Sequence, residues 1–316
     1  MSSSWNAGQV YPAPQVANAG PTLREWIISG VLLCITFVTT SFAGLSQRVN
    51  FDIFTAFNFL IHRPIRILYG LPFSVPLISI LLAHELGHFF ACRYYGMRCT
   101  PPFFLPIPIS LAGTFGAFIK IKSQFLHRRA LFDIGIAGPL AGFLLILPTL
   151  WIGISFSKLV PKGTYPAGGF SFGEPLIFRL LGVLILGYSP GKQGMVYHPM
   201  AMAAWVGLLA TSLNLLPIWQ LDGGHISYAI LGRSLQKKVS IISVTTLILM
   251  SFLEWPPSVT ILVFATLLLI IGTRTRFFHP STIFEEEHLG PGRLVLGGIA
   301  ILILLVSFTP VPVKII

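Results

Sequence analysis

The stretch LPFSVPLISILLAHELGHFFACR, residues 71–93, places His84-Glu85-Leu86-Gly87-His88 inside an apolar segment long enough to cross a bilayer. Residues four apart on an α-helix project from one face, so His84 and His88 can chelate one Zn²⁺ while Glu85 lies beside the open coordination position. A five-residue pattern of this kind also occurs by chance. An ionisable side chain at mid-membrane costs about 2.5–3.5 kcal/mol, so the metal-ligand interpretation is favoured here. The stretch therefore predicts a zinc site, two ligands and a general base, within a membrane helix.

Composition sets the class of protein. Of the 316 residues, 54% are hydrophobic and only 10% are charged, and the mean hydropathy is +0.80. These values exclude an ordinary soluble domain and predict an all-α polytopic membrane protein embedded in a lipid bilayer. The net charge of +11 does not indicate a nucleic-acid partner, because Lys and Arg occupy loops between apolar segments.

Apolar windows predict about seven transmembrane helices, with a re-entrant hairpin beside the zinc site. The predicted spans are 26–45, 71–93, 131–155, 199–220, 238–254, 257–272 and 294–310. Prolines in Glu254-Trp255-Pro256-Pro257 favour a turn between two of them. The resulting organisation is a flexible tail (1–23), a first transmembrane helix and loop (24–70), a catalytic core (71–235) and C-terminal transmembrane helices (236–316).

A second polar motif lies in the stretch NLLPIWQLDGG, residues 214–224. Asp222 is the only acidic residue between Glu174 and Glu254, and we expect it at the end of a membrane helix that Pro217 bends and Gly223 terminates. An isolated carboxylate there is costly, whereas next to Zn²⁺ it completes a His, His, Asp ligand set and leaves one position for water. The alternative is an interfacial helix cap.

Depth gives an independent check on this pairing. His84 is nearer the emerging end of its span, and Asp222 also lies at an emerging end. The two helices must therefore run in the same direction, with 131–155 as the single crossing between them. The apolar segment 176–188 is then excluded as a span, and we expect it to lie at the outer surface or to dip in and return.

The segment from Pro101 to Ser123 is apolar but rich in proline, which disfavours a helix. Residues 117–122 alternate as in a strand, so we predict a hairpin or re-entrant loop next to the zinc cavity. Its edge is a candidate for strand addition of an extended peptide, and the predicted substrate-binding residues there are Gly113, Thr114, Phe115 and Gly116. A simple interfacial loop is the equally weighted alternative.

Two further side chains near the motifs are candidates for the site, Cys92 and His225. Cys92 lies roughly 12 Å along the helix from His84, too far for a shared tetrahedral ion, so we predict a packing role. His225 follows the two glycines and is most simply an interfacial cap, with a supporting contact to the site as the alternative. His198, His279 and His288 receive no role.

With both motifs in hand, the chain resembles the site-2 proteases, the intramembrane zinc metalloproteases of peptidase family M50. The resemblance covers roughly residues 75–235 and rests on the motif at 84–88, the segment Gly113 to Ile119, Ala137-Gly138-Pro139 and the stretch 214–224. It implies Zn²⁺ held by His84, His88 and Asp222, with Glu85 as general base. It also implies that Asn214 contacts substrate or stabilises the oxyanion, and that transmembrane protein substrates are cleaved near the cytoplasmic face.

Many bacterial members carry an outer PDZ domain, for which residues 156–198 leave no room, so the resemblance favours a PDZ-less bacterial or plastid-type branch. The lack of an Arg- and Ser-rich presequence favours the bacterial cytoplasmic membrane. Two other functions are open: a zinc-binding transporter or inactive relative, and a protease of the prenyl-protein type. The latter takes a glutamate as third ligand, and Glu174 and Glu254 are poorly placed for that role.

Overall fold

The computed structural model describes residues 20–108, 110–161, 170–252, 258–277, 279–283 and 288–315. Its helices are α1 (Leu23–Gln47), α2 (Ile53–His62), α3 (Leu71–Tyr94), α4 (Arg128–Ser155), α5 (Leu176–Leu186), α6 (Pro199–Asn214), α7 (Asp222–Ser251), α8 (Val259–Arg274) and α9 (Pro291–Ser307). Its strands are β1 (Phe103–Pro106), β2 (Thr114–Phe118), β3 (Lys158–Pro161), β4 (Phe170–Phe172), β5 (Gln193–Val196) and β6 (Val313–Ile315). Most of the predicted tail, and the predicted turn at 254–257, lie outside the described residues.

Three helical segments of the described chain are long and apolar enough to cross a bilayer: Leu23–Gln47, Pro64–Tyr94 and Arg128–Ser155. The first begins at a capping box, in which Thr22 Oγ1 accepts from the Glu25 amide and Glu25 Oε2 accepts from the Thr22 amide. The second starts with a 3₁₀ segment, Pro64–Gly70, that leads directly into α3. These three segments contain the predicted spans 26–45, 71–93 and 131–155.

The figure of about seven transmembrane helices is not confirmed. A helix lies at each remaining predicted span, but α6, α8 and α9 have only 16, 16 and 17 residues, fewer than the roughly 20 needed to cross the hydrocarbon core. Helix α7 has 30 residues but is broken at Gly232, where φ is +78°. The apolar helix α5, with 11 residues, is too short to cross a bilayer, as the sequence indicated.

The prediction that Asp222 ends a membrane helix is wrong. Helix α6 stops at Asn214, and Asp222 is the first residue of α7. Pro217 ends the helix because the residue before a proline is pushed out of the α conformation. Gly223 does not terminate a helix either, because it is the second residue of α7. A Cβ there would lie 2.0 Å from the Leu215 carbonyl oxygen. Glycine is therefore needed because the loop folds back onto the start of α7.

Close contacts between α3, α4 and α6 fix the directions of these helices. A Cβ on Gly87 would lie 2.4 Å from the Ala137 carbonyl oxygen, whereas the earlier residue His84 packs against the later residue Gly142, so α3 and α4 are antiparallel. Helices α4 and α6 are antiparallel by the same argument, since residue 153 meets residue 201 and residue 146 meets residue 207. Helices α3 and α6 therefore run in the same direction, as the depth of the two motifs required.

A part-buried ionic cluster attaches α9 to this core. Asp133 of α4 accepts two hydrogen bonds from Arg293 of α9, Nε to Oδ1 at 2.8 Å and a terminal nitrogen to Oδ2 at 2.7 Å. The hydroxyl of Tyr95, at the end of α3, donates to the same carboxylate. A bidentate arginine–carboxylate pair restricts both partners in position and angle, so this cluster sets how α9 lies against α3 and α4.

The chain is mostly helical, and the expectation of an all-α protein is corrected by three two-stranded antiparallel sheets among the described residues. Strands β1 and β2 form a hairpin within the segment 101–123, with Phe104 opposite Ala117, so the structure has a hairpin where the sequence predicted a hairpin or a re-entrant loop. The pairs β3–β5 and β4–β6 lie beyond the opposite end of α4. That the β1–β2 hairpin re-enters a bilayer stays a prediction.

Candidate metal centre

Three side chains from two helices converge on one point. The Nε2 atoms of His84 and His88 are 3.2 Å apart. Asp222 lies 3.1 Å from His84 through Oδ2 and 3.3 Å from His88 through Oδ1. Both imidazoles are only 6% exposed. Among the described residues this is a group of three donor atoms, all within 4.8 Å of one another, that is able to hold a metal ion.

The donor set and its spacing fit Zn²⁺. Bonds of about 2.0–2.1 Å in a tetrahedral arrangement put neighbouring ligand atoms about 3.3 Å apart. The two Nε2 atoms are 3.2 Å apart, and the imidazoles lie 3.1 and 3.3 Å from different oxygens of Asp222. Two imidazole nitrogens and one carboxylate oxygen leave the fourth position for water. A divalent cation bound among them would be a shared partner for both imidazoles and the carboxylate.

A backbone carbonyl orients the second imidazole. His88 Nδ1 lies 2.7 Å from the carbonyl oxygen of Ile134 in α4. Because a carbonyl oxygen only accepts, Nδ1 carries the proton and Nε2 presents its lone pair to the other two ligands. No residue pattern points to Ile134, because any residue type offers a carbonyl and only the packing of α3 on α4 selects this one.

Glycines on α4 make room for both rings, which gives the Ala137-Gly138-Pro139 motif a physical reason. A Cβ on Gly138 would lie 2.1 Å from His88 Nε2. A Cβ on Gly142 would lie 3.2 Å from the His84 Cβ. Separations below 3.0 Å require something to move, so the first glycine is strictly needed and the second tolerates a small shift.

We therefore expect Gly138→Ala to lose metal. The added methyl group displaces the His88 ring, and a ligand moved by about 1 Å no longer reaches the ion within bonding distance. Metal content of the purified protein, measured by inductively coupled plasma mass spectrometry, should fall by at least tenfold, as for loss of a supporting contact. Gly142→Ala is the matched control and should keep its metal. Full occupancy in Gly138→Ala would contradict this packing argument.

Glu85 and Asn214 both line the cavity that holds the three ligands, which has a volume of about 200 Å³. Glu85 is 6% exposed and directly follows His84 on α3. Asn214 is the last residue of α6, and the loop it begins leads to Asp222. The structure thus brings all five of these predicted residues to one place.

The predicted peptide-binding residues lie in the hairpin but do not line this cavity. Its wall is formed instead by the residues that follow them, Ala117, Phe118, Ile119 and Ile121. Gly113 packs on α1, where its carbonyl oxygen accepts from Thr39 Oγ1 at 2.7 Å. The other three, Thr114, Phe115 and Gly116, are the first residues of β2. Thr114 Oγ1 donates to the Leu105 carbonyl oxygen within the hairpin. Phe115 is 72% exposed, and a Cβ on Gly116 would meet nothing within 4 Å.

A pair of histidines extends from the cavity. His225 lines it, one turn after Asp222, and its Nδ1 lies 2.6 Å from Nε2 of His279. His279 Nδ1 in turn donates to the Pro280 carbonyl oxygen at 2.7 Å. Burial lowers the pKa of His279 to about 4, so it is neutral at pH 7. Of the two sequence interpretations of His225, the supporting contact fits better than the cap, and His279 was missed.

Cys92 packs in the apolar core. Cys92 is fully buried in the apolar cluster formed with Phe89 and Cys99, and it is not among the metal-binding group or the residues lining the cavity. This position agrees with the distance argument made from the helix rise.

Comparison with known proteins decides the family. The model for peptidase family M50 matches residues 72–253. The chain belongs to peptidase family M50. This confirms the resemblance to site-2 proteases, and the matched range contains the whole metal centre. It begins one residue after the start of α3 and extends past the kink in α7.

Similar curated proteins of the family come from plants. The chain is 30% identical over 235 residues to the "Probable zinc metalloprotease EGY1, chloroplastic" of Arabidopsis thaliana, covering 70% of this chain and 42% of that protein. It is 30% identical over 248 residues to "Probable zinc metalloprotease EGY2, chloroplastic" of the same plant, covering 75% and 42%. The chain thus spans about two fifths of the length of these relatives. Both names place the relatives in chloroplasts, so the prediction of a bacterial cytoplasmic membrane has no support.

Proposed function

We propose that this protein is a zinc-dependent endopeptidase that cleaves transmembrane protein substrates within the bilayer. The observation that carries the proposal is the convergence of His84, His88 and Asp222 beside Glu85, in a cavity on apolar helices. Membership of the M50 family and the names of its zinc metalloprotease relatives support the reaction type. Regulated intramembrane proteolysis is the process this activity would serve.

Glu85 is the proton carrier of the proposed reaction. Zn²⁺, when bound by the three ligands, acidifies a water molecule and polarises a peptide carbonyl. The Glu85 carboxylate takes a proton from the attacking water and later delivers it to the nitrogen of the leaving amine. Its position on the turn of α3 that carries both histidines keeps it beside the place where that water must lie.

Asn214 and the hairpin are the proposed substrate contacts. The side-chain amide of Asn214, at the edge of the cavity, is a hydrogen-bond donor for the carbonyl oxygen on which negative charge develops. Strand β2 pairs with β1 on one side, and among the described residues no strand pairs with its other edge. That edge leads through Ala117 and Ile119 into the cavity, so a substrate strand added there would be delivered to the metal.

The substrate must be locally unwound before it reacts. In a helix each carbonyl accepts an i to i−4 hydrogen bond, and its backbone is shielded by side chains. Pairing with the free edge of β2 replaces those helical hydrogen bonds, so the opened segment retains partners inside the membrane. The residues that bound the hairpin, Pro101 and Ser123, precede α4 on the same side as the end of α3, which favours cleavage close to one membrane face.

Metal removal tests this proposal directly. The purified chain, reconstituted in vesicles with a single-span reporter, should lose cleavage when 1,10-phenanthroline strips the metal and regain it when Zn²⁺ is returned. The non-chelating isomer 1,7-phenanthroline is the matched control and should have no effect. Cleavage that persists in metal-free protein would reject a zinc-dependent mechanism.

A further inference from the structure

A second cavity, of about 370 Å³, lies away from the metal centre, where the start of α4, the end of the first segment of α7 and the start of α9 meet. It is lined by Arg128, Ala229, Ile230, Leu289, Pro291 and Leu294, together with His288 and Gly290. Arg128 is the first residue of a membrane-spanning helix, so the cavity lies at the boundary between the hydrocarbon and the headgroup region.

Arg128 brings to this cavity a positive charge that no carboxylate of the described residues pairs with. Its side chain donates one long hydrogen bond, from a terminal nitrogen to the Tyr228 carbonyl oxygen at 3.4 Å. Its Nε is buried and has no hydrogen-bond partner in the described part of the chain. Two neighbouring arginines differ: Arg129 donates to the His288 carbonyl oxygen at 3.0 Å, and Arg293 pairs with Asp133. A part-buried guanidinium group with one long hydrogen bond and an unpartnered Nε is under-satisfied, which favours an anion beside it.

Apart from Arg128 and His288, the side chains of the cavity wall are apolar, and two of them are exposed. Ile230 is 36% exposed and Leu294 is 54% exposed, so both present hydrocarbon toward the surrounding lipid. A cationic end joined to an exposed apolar wall matches an amphiphile with an anionic head and a hydrocarbon tail. Arginine binds phosphate oxygens through paired N–H groups, so the headgroup chemistry that fits best is a phosphate ester.

The backbone around Arg128 is shaped to admit its side chain. Gly232, where α7 is broken, would place a Cβ only 2.8 Å from a terminal nitrogen of Arg128. The helix N-cap of α9, Gly290, supplies no side-chain hydrogen bond to the first amides of that helix. Glycine at the kink in α7 therefore lets the backbone approach the guanidinium group, which lines the cavity.

We propose that this cavity binds one anionic phospholipid, with its phosphate ester on Arg128 and an acyl chain along Ile230 and Leu294. Ala229 and Ile230 lie two helical turns beyond Asp222 on the same segment of α7, before the break at Gly232. A bound lipid thus holds the segment that presents Asp222 to the metal centre. The site is independent of the proposed proteolysis, since binding is measurable without any reaction.

The test is lipid retention by the purified full chain, followed by native mass spectrometry during titration with phosphatidylglycerol, phosphatidylcholine or inorganic phosphate. We expect one phosphatidylglycerol to bind more tightly than phosphatidylcholine. Arg128→Gln should weaken that binding by roughly tenfold, the usual effect of losing a hydrogen-bonded charge contact. Arg24→Gln is the matched control, because Arg24 is an exposed cation at the start of α1, and it should change binding less than twofold.

A second variant keeps the proposal testable if Arg128→Gln does not fold. Leu294→Trp, at a half-exposed position, fills the hydrocarbon wall and should weaken phosphatidylglycerol binding while the metal content is unchanged. Equal losses in Arg24→Gln and Arg128→Gln would show general surface attraction and overturn the site. Full competition by inorganic phosphate, or equal binding of the two lipids, would overturn it in favour of a free-anion site or of no headgroup selection.

Discussion

Glu85→Gln is expected to reduce cleavage by about 10²–10⁴-fold, the usual contribution of a positioned general base, while the metal stays bound. Glutamine has almost the same shape as glutamate but does not accept a proton at neutral pH. The three ligand side chains are untouched, so zinc content should equal that of the unchanged protein. The measurements are the rate of reporter cleavage in vesicles and the zinc-to-protein ratio of the same preparation.

Glu174→Gln is the matched control for that variant. Glu174 accepts hydrogen bonds from the hydroxyls of Tyr188 and Tyr197, far along the chain from α3, and it does not line the metal cavity. The same substitution there should leave cleavage at its normal rate. Full cleavage by Glu85→Gln protein would reject Glu85 as the base. Zinc binding without cleavage in the unchanged protein would favour the transporter or inactive relative.

Asp222→Ala is expected to abolish both zinc binding and cleavage. Removal of a group that merely supports a ligand costs about 10–100-fold in metal affinity, so removal of a ligand should exceed that range. The loss also discriminates against a protease of the prenyl-protein type, whose third ligand would be a glutamate. The measurement is zinc content after dialysis against a weak chelator.

Asp52→Ala separates the ligand role of Asp222 from the alternative of a helix cap. Asp52 caps α2, where Oδ1 accepts from the amides of Phe54 and Thr55 at 2.9 and 3.2 Å. Its loss should lower stability by about 0.5–2 kcal/mol without changing zinc content. If Asp222→Ala behaves like Asp52→Ala and keeps its zinc, Asp222 is a cap and the proposed ligand set is wrong.

Local sequence patterns predicted most of what the structure shows about the helices that build the core. Length and apolar composition predicted α1, α3 and α4, because a span must satisfy its own backbone in hydrocarbon and so appears as an unbroken apolar run. Boundaries were less predictable beyond Asn214. The sequence predicts that Pro217 bends a helix, whereas the structure has a helix that ends before it. Whether a proline bends or ends a helix depends on whether the residues after it find other partners. Here Gly223 and Gly224 pack under the loop.

For the candidate site, residue type and spacing alone predicted which side chains take part in the metal chemistry. His84, Glu85 and His88 share a helix face through their spacing, and Asp222 was singled out because an acidic side chain is rare in an apolar chain. The packing of the helices supplies the groups that orient and surround them: the Ile134 carbonyl, the space left by Gly138, and the pairing of His225 with His279. Those contacts join residues far apart in sequence and involve backbone atoms or missing atoms, which no residue pattern reports until helices pack.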